Sequence, residues 1–213
     1  MKKIFIALTA MLIVTTGMCA QELQTIKLNA PNKTRGASVM KALSDRKSVR
    51  EYDSKEISLQ DLSDVLWAAL GVNRPDGKRT APTAANAQEI EVYAINKDGA
   101  YLYDAKEHSL KPVAKGDFRK EVAGRQEFAS AAPLSLVIVA NLKTLGDPAL
   151  AQTRHIAAID AGIVGQNINI FCSAVGLATV PRASWAFGEL EKALKLSDTQ
   201  EVMLNNPIGY PKK

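Results

Sequence analysis

Cysteine and histidine are scarce, with two of each in 213 residues. Cys19 falls within the first twenty residues, so the rest of the chain holds one thiol, Cys172, and can form no intramolecular disulfide. The fold has to be held by packing, and Cys172, inside the apolar run Ile168 to Cys172, reads as a buried, inert thiol. His108 and His155 lie near neither that cysteine nor a carboxylate cluster, which argues against a metal centre. Also missing are a G-x-S-x-G elbow, a Cys–His pair, a P-loop and a G-x-G-x-x-G fingerprint. The formal charge of +5 is spread among interleaved acids and bases, without the concentrated basic face of a nucleic-acid binder. An enzyme with these gaps must take its reactivity from a bound cofactor.

What is present begins with a targeting pattern. Lys2 and Lys3, an apolar run from Ile4 to Val14 and the small-residue site Met18-Cys19-Ala20 read as a secretory signal peptide cut after Ala20. The run is short for a membrane span. Bulky Met18 argues against the alternative of a lipid anchor on Cys19. The expectation is an exported, periplasmic protein. Removing 20 of the 213 residues leaves 193, enough for one domain, and lowers the charge from +5 to +3.

Residues 21–35 are polar, contain Pro31 and show no period, as expected of an extended arm or disordered lead-in that could wrap a partner subunit. Residues 36–213 then form the domain. Val39, Met40 and Leu43 share one helical face. Ser58-Leu59-Gln60-Asp61 reads as a capping box before a helix through Leu70 that stops at Gly71. Residues 73–87 form a long loop rich in Gly, Pro, Asn and Ala. Residues 89–95 alternate as a half-buried strand with Glu91 and Tyr93 outward; Asp98-Gly99 supplies left-handed turn positions, and Tyr101 to Tyr103 returns. Pro133 to Ala140 is a central buried strand, and Thr153 to Val175 a long helix, apolar nearly all round. Its Ala157, Ala158, Ala161, Gly162 and Gly165 allow close approach of another helix, of this chain or a second one. A short helix over 187–196 and a strand over 200–210 complete an α+β order.

Two stretches carry chemistry. Arg46-Lys47-Ser48-Val49-Arg50 puts three cations and a hydroxyl within five residues, enough to surround one phosphate. Arg79 followed by Pro82-Thr83-Ala84-Ala85-Asn86-Ala87-Gln88 offers small residues and amides that let backbone approach a flat ring. Singly, the first could be a solvated loop and Asn86 a turn residue; Tyr93, Tyr101 and Tyr103 suit cross-strand packing.

Together and in order, these stretches resemble the FMN-dependent nitroreductase family. Arg46-Lys47-Ser48-x-Arg50 is similar to its phosphate-binding opening, and Pro82 to Gln88 to its Pro-Ser-Ser-x-Asn-x-Gln loop. Asp160-Ala161-Gly162 with Gln166-Asn167 and Gly176-Leu177 is similar to its central dimer helix, Val180 to Ser184 to the backbone beside flavin N5, and Gly209-Tyr210-Pro211 to its terminal strand. The resemblance implies a nitroreductase-like fold with a mostly antiparallel sheet flanked by helices. It also implies a homodimer with FMN at the subunit interface, and hydride transfer between a reduced donor such as NAD(P)H and a small electron-poor acceptor.

The cofactor-binding residues it implies are Arg46, Lys47, Ser48, Arg50, Pro82, Thr83, Ala84, Asn86, Gln88, Pro181, Arg182 and Ala183, with no catalytic side chain and no metal. Many members carry a basic pair beyond the terminal Gly-Tyr-Pro; here the chain reads Lys212-Lys213, so Arg79 or Arg154 is expected to help hold the phosphate. Arg79, Glu91 to Tyr93, Tyr101 to Asp104 and His108 further resemble the branch that includes azoline dehydrogenases. The family's aromatic residue after Asn-x-Gln is replaced by Glu89-Ile90, which leaves room for an alternative: a non-catalytic exported flavin-binding protein on the same fold.

Overall fold

The computed structural model describes residues 22–212; the stretch expected to be a signal peptide, with Cys19, lies outside them. A seven-stranded sheet has the order β1-β4-β3-β2-β5-β7-β6, and every pair is antiparallel. The strands are β1 (Ile26–Lys27), β2 (Ile90–Ile95), β3 (Gly99–Asp104), β4 (Ser109–Lys115), β5 (Leu134–Asn141), β6 (Ala178–Thr179) and β7 (Gln200–Gly209). The helices are α1 (Val39–Asp45), α2 (Leu59–Leu70), α3 (Arg119–Ala123), α4 (Leu142–Leu145), α5 (Ala151–Val175) and α6 (Glu189–Ala193). This is the expected α+β, nitroreductase-like architecture.

β5 is central because its run of Leu, Val and Ile can be buried on both sides, and residues 136–140 are wholly inaccessible. Leu136 and Ile138 join Val65, Leu66 and Leu70 of α2 and Val164 and Ile168 of α5 on one face. Val137 and Val139 join Val122 of α3 and Leu190 and Leu194 beside α6 on the other. That second layer corrects the reading of β2 as half-buried: Tyr93 is buried under it, and its hydroxyl donates to Glu91 Oε2 at 3.2 Å.

The turn after β2 is also built differently from the expectation. None of residues 96–99 takes a positive φ. Instead Asn96 Oδ1 accepts from the amides of Asp98 (2.9 Å) and Gly99 (3.1 Å). Glycine is needed at 99 for space, since a Cβ there would come within 2.5 Å of Leu23 and 2.7 Å of the Ala114 carbonyl.

Residues 22–35 are not a loose lead-in. Ile26 and Lys27 pair with Leu110 and Ser109, Leu28 is buried, and Arg35 bonds Asp61 (2.7 Å) and Asp64 (2.9 Å) of α2. His108 closes this edge: its ring nitrogens meet Tyr103 Oη at 2.8 Å, Ser63 Oγ at 2.8 Å and the Asn29 carbonyl at 2.9 Å. Tyr103 and His108, two residues of the finer branch resemblance, are therefore structural here.

α5 divides its small residues between two jobs. Ala157, Ala161 and Gly165 face the sheet, and a Cβ on Gly165 would meet Leu204 at 2.9 Å. Ala158 and Gly162 face outward beside Ile159, which is 52% exposed. α1 packs across the far end of α5, Ser173 Oγ donating to the Ala42 carbonyl at 2.8 Å. Only Ala42 of α1 is buried; Val39 and Met40, 66% and 76% exposed, turn their shared face to solvent.

Candidate functional site

The basic segment leaves α1 through Arg46, whose amide donates to the Ala42 carbonyl at 3.0 Å. It then runs along the chain's later strands: Val49 N–H donates to the Thr179 carbonyl at 2.9 Å, and Tyr52 bridges Pro211. Tyr52 is buried with its hydroxyl on the Val49 carbonyl, and burial pushes its pKa up. With the backbone so fixed, the side chains of Arg46, Lys47, Ser48 and Arg50 all project into solvent. Among the described residues, Arg46, Lys47 and Ser48 have no side-chain partner, and Arg50 meets only the Phe128 ring, 6.0 Å from its centroid. Three cations with no counter-charge, beside a hydroxyl, suit a dianionic phosphate.

The same packing brings this segment to Pro181–Ala183. Arg182 lies over the same Phe128 ring at 5.7 Å, but it is not a free ligand. Its guanidinium donates to Gln126 Oε1 (2.9 Å), Asn205 Oδ1 (2.7 Å), Ser184 Oγ (3.2 Å) and the carbonyls of Val122 (3.0 Å) and Ala123 (2.7 Å). Its own N–H and C=O pair with Asn205 at 2.8 Å each. Arg182 is thus the pin between α3 and β7, which corrects its assignment to the cofactor. Pro181 has no N–H, so of the three residues Ala183, exposed and with no backbone partner among the described residues, keeps a donor available.

Next to Ala183 opens a cleft of about 780 Å³ lined by Lys120, Arg125, Gln126, Ser184, Trp185 and Phe187. The Trp185 and Phe187 rings stand 4.5 Å apart at 39°. Nothing in the local sequence marked this aromatic pair. It becomes a wall only because Ala186 N–H donates to the Glu121 carbonyl at 2.8 Å and turns the segment across α3.

The second stretch has a different character. Arg79 is half-buried, donating one guanidinium nitrogen to the Ile90 carbonyl at 3.2 Å while its Nε is buried without a partner. Burial lowers its pKa, although Tyr103, Asp104, Glu89 and Glu91 favour its charge. Residues Ala84–Asn86 form one 3-10 turn in which Ala85 (φ 51°) and Asn86 (φ 56°) are left-handed, followed by Gln88 at 54°. Three such positions without glycine cost roughly 1 kcal/mol each and persist only where surroundings over-determine them. Here Ala84 N–H donates to Asp160 Oδ2 of α5 (2.8 Å), Gln88 N–H to Thr83 Oγ1 (2.9 Å) and Gln88 Nε2 to the Gly77 carbonyl (3.2 Å). Pro82, Ala85 and Asn86 remain exposed at the tip.

Glu89, directly after this segment, is 1% exposed, and neither carboxyl oxygen has a hydrogen-bond partner. Burial, helped by the facing carboxyl of Asp160, pushes its pKa up to about 7. Glu89 and Ile90 are both interior, so neither supplies a stacking surface.

α5 serves as a ruler between the two stretches. Ala84 is fastened at Asp160 and the base of α1 at Ser173, thirteen residues or roughly 20 Å along the helix. One chain therefore brings Arg46, Lys47, Ser48 and Arg50 together with Pro181 and Ala183, but holds Arg79 and Pro82, Thr83, Ala84, Asn86 and Gln88 at the opposite end. Arg154 belongs to that opposite end too. Its Nε donates to Glu201 Oε1 at 2.7 Å, on the end of β7 that pairs with Ala140. Neither Arg79 nor Arg154 joins the Arg46 cluster within one chain, so the help expected of them at the phosphate would have to come from a second copy.

Comparison with known proteins bears on the family and the fold. Residues 43–210 match the model of the Nitroreductase family. A curated protein of Methanocaldococcus jannaschii, named as a nitroreductase, is 29% identical over 177 residues, which cover 77% of this chain and 86% of the relative. A crystal structure described as a nitroreductase from Ralstonia eutropha superposes with a TM-score of 0.83 at 35% identity, covering 89% of this chain and 90% of that one. A structure described as an NADH oxidase from Clostridium acetobutylicum shares the fold at a TM-score of 0.57 and 17% identity, covering 83% and 89% of the two chains.

Proposed function

Since the chain belongs to the nitroreductase family, we propose that it is an FMN-dependent oxidoreductase acting as a homodimer on a small electron-poor organic molecule, with a reduced donor such as NAD(P)H. The carrying observation is the row of unpartnered groups at Arg46, Lys47 and Ser48, with Arg50, beside the free amide of Ala183. Bound there, a flavin would supply the hydride chemistry. The cations would neutralise its phosphate, and the Ala183 N–H would orient the ring.

The second half of the site comes from another copy. Pro82 to Gln88 lies too far from the Arg46 cluster to reach the same ligand in one chain. Meanwhile Val39, Met40, Leu43 and Ile159 leave apolar surface on α1 and α5 exposed. A dimer through that surface would cover it and let one chain's 83–88 tip close over the other's flavin. The Trp185–Phe187 cleft, with Lys120 and Arg125 at its rim, would take the acceptor. It offers an aromatic wall that Glu89 and Ile90 do not, and so favours a catalytic protein over a flavin carrier. Cleavage after Ala20 would place this protein outside the cytoplasm, where a donor other than a nicotinamide, or a substrate oxidised by the flavin as in the azoline-dehydrogenase branch, would suit it.

Extraction of the purified protein and mass measurement tests this: FMN stoichiometric with the chain is expected, and its rapid bleaching by a donor separates enzyme from carrier. Arg46 and Arg50 are exposed, so Arg46→Ala with Arg50→Ala should abolish retention while the melting temperature of the flavin-free protein stays unchanged. Full retention in that double variant, or FMN on a sedimenting monomer, overturns the site.

A further inference from the structure

Glu89 and Asp160 form a buried acid pair with no part in the binding scheme above. Glu89 follows the strained segment directly and is fixed by its main chain, the Asn141 N–H donating to the Glu89 carbonyl at 2.9 Å. Its carboxyl is enclosed, without a donor, opposite Asp160. Asp160, 5% exposed on α5, does have a donor, the Ala84 amide at 2.8 Å. Two carboxyls facing each other away from water cannot both stay charged, and one proton between them satisfies both. That proton belongs on Glu89, which no donor from another residue serves, and is donated to Asp160.

The consequence reaches the segment between them. Ala84 opens the 3-10 turn whose next residues are left-handed, and its hydrogen bond to Asp160 is the turn's tie to α5. We propose that Glu89 and Asp160 are positioning residues that share one proton, and that this proton holds the 83–88 segment in its strained shape while its loss frees the segment. The part concerning flavin rests on the reading above; the proton pair itself does not.

The charges around Glu89 agree with a switch in the neutral range. From α5 it faces Asp160, which opposes its ionisation; from the preceding loop Arg79 favours it, but that guanidinium bonds the Ile90 carbonyl rather than Glu89. Glu91, Tyr103 and Asp104 act on Arg79. Burial outweighs Arg79 and puts the Glu89 carboxyl at about 7.

Amide hydrogen exchange on the full chain without added flavin, between about pH 5.5 and about pH 8.5 and corrected for the intrinsic rate, tests this. In the native protein the 83–88 amides should lose about tenfold protection as pH rises through the neutral range. Glu89→Gln keeps a donor toward Asp160 but cannot titrate, so its protection should stay flat. Asp160→Asn should lower protection at every pH. Infrared spectra of the native protein alone should show a protonated-carboxyl stretch that fades over the same range. Parallel loss in native and Glu89→Gln, or no such stretch in the native protein, overturns the proposal. Exchange is read without flavin, so an absent cofactor would leave the result intact. A flat native profile would sink the pair while leaving FMN binding standing.

Discussion

Two acid pairs sit under the two long helices, and burial treats them alike. Asp61 and Asp64 of α2 and Asp160 of α5 with Glu89 beside it are all largely shielded from water. Yet Asp61 holds its charge. Burial alone would raise its pKa, but hydrogen bonds from Ser58, Tyr210 and Arg35, and the Arg35 charge, outweigh that and keep it below the usual carboxylate range. Glu89 receives no donor from another residue, its own amide does not offset its burial, and it goes the other way. Donor supply, not depth, decides whether a buried acid fastens the fold or stores a proton. The first pair ties residues 22–35 and the chain's end to α2; the second lies under the segment expected over the cofactor.

Removing the satisfied acid should give the largest effect. Asp61→Ala takes one of two carboxylates from Arg35, leaving it only Asp64, and removes the acceptor of the Tyr210 and Ser58 hydroxyls, so urea unfolding near neutrality should show a loss of about 3 kcal/mol. The folded pKa is depressed below 3.8, so that stability is present above the unfolded value and disappears as pH falls through the folded one. The gap between native and variant should therefore narrow in acid. A cost under about 0.5 kcal/mol near neutrality would put Asp61 among ordinary surface acids.

The orphaned acid should behave oppositely. Its pKa rises from 4.5 to about 7, so the stability associated with its proton is complete below about 4.5 and is lost as pH climbs to about 7. Glu89→Gln escapes that loss. It should match the native protein near pH 4.5 and exceed it by on the order of 1–2 kcal/mol near pH 8 in the same unfolding experiment. An advantage that does not grow with pH would mean that Glu89 already ionises at its ordinary value.

The same contrast explains what the sequence could and could not announce. Ser58 was legible as an N-cap because its partner Asp61 lies three residues on; the Asp61 carboxyl answers the Ser58 hydroxyl rather than its amide. β5 was legible from its own run of apolar residues, and the end of α5 from Gly176, left-handed at φ 76°. The Arg46 cluster and the 82–88 segment were legible as motifs, each being contiguous. Arg182 was not, because, Ser184 apart, the groups that consume it lie 23 to 60 residues away, and a free or a pinned arginine reads the same locally. Nor was the Glu89–Asp160 pair, joined only by the docking of α5 on β2. The α1 pattern of Val39, Met40 and Leu43 fixed a face but not its direction, since an apolar stripe looks identical against a core or a second chain.

The smallest effect isolates a single donor. Tyr210→Phe leaves Arg35 and Ser58 on Asp61 and removes one hydroxyl, which donates to Asp61 Oδ2 at 2.6 Å and accepts from the Ser58 amide at 3.3 Å. The ring, with Lys55 Nζ 4.5 Å from its centroid, stays in place. Loss of one charge-assisted bond, with the Ser58 amide on an exposed helix start free to find water, should cost about 1 kcal/mol. Because that donor is one of those holding the Asp61 pKa down, the acid limb of the stability curve should also move to higher pH. Arg35 and Tyr210 approach different oxygens of one carboxylate, so combining Tyr210→Phe with Asp61→Ala should add nothing to Asp61→Ala alone. An additive double variant would show that Tyr210 acts through its packing. Asp61 would then owe its charge to Arg35 and Ser58 alone, and the difference between the two acid pairs would reduce to one arginine and one hydroxyl.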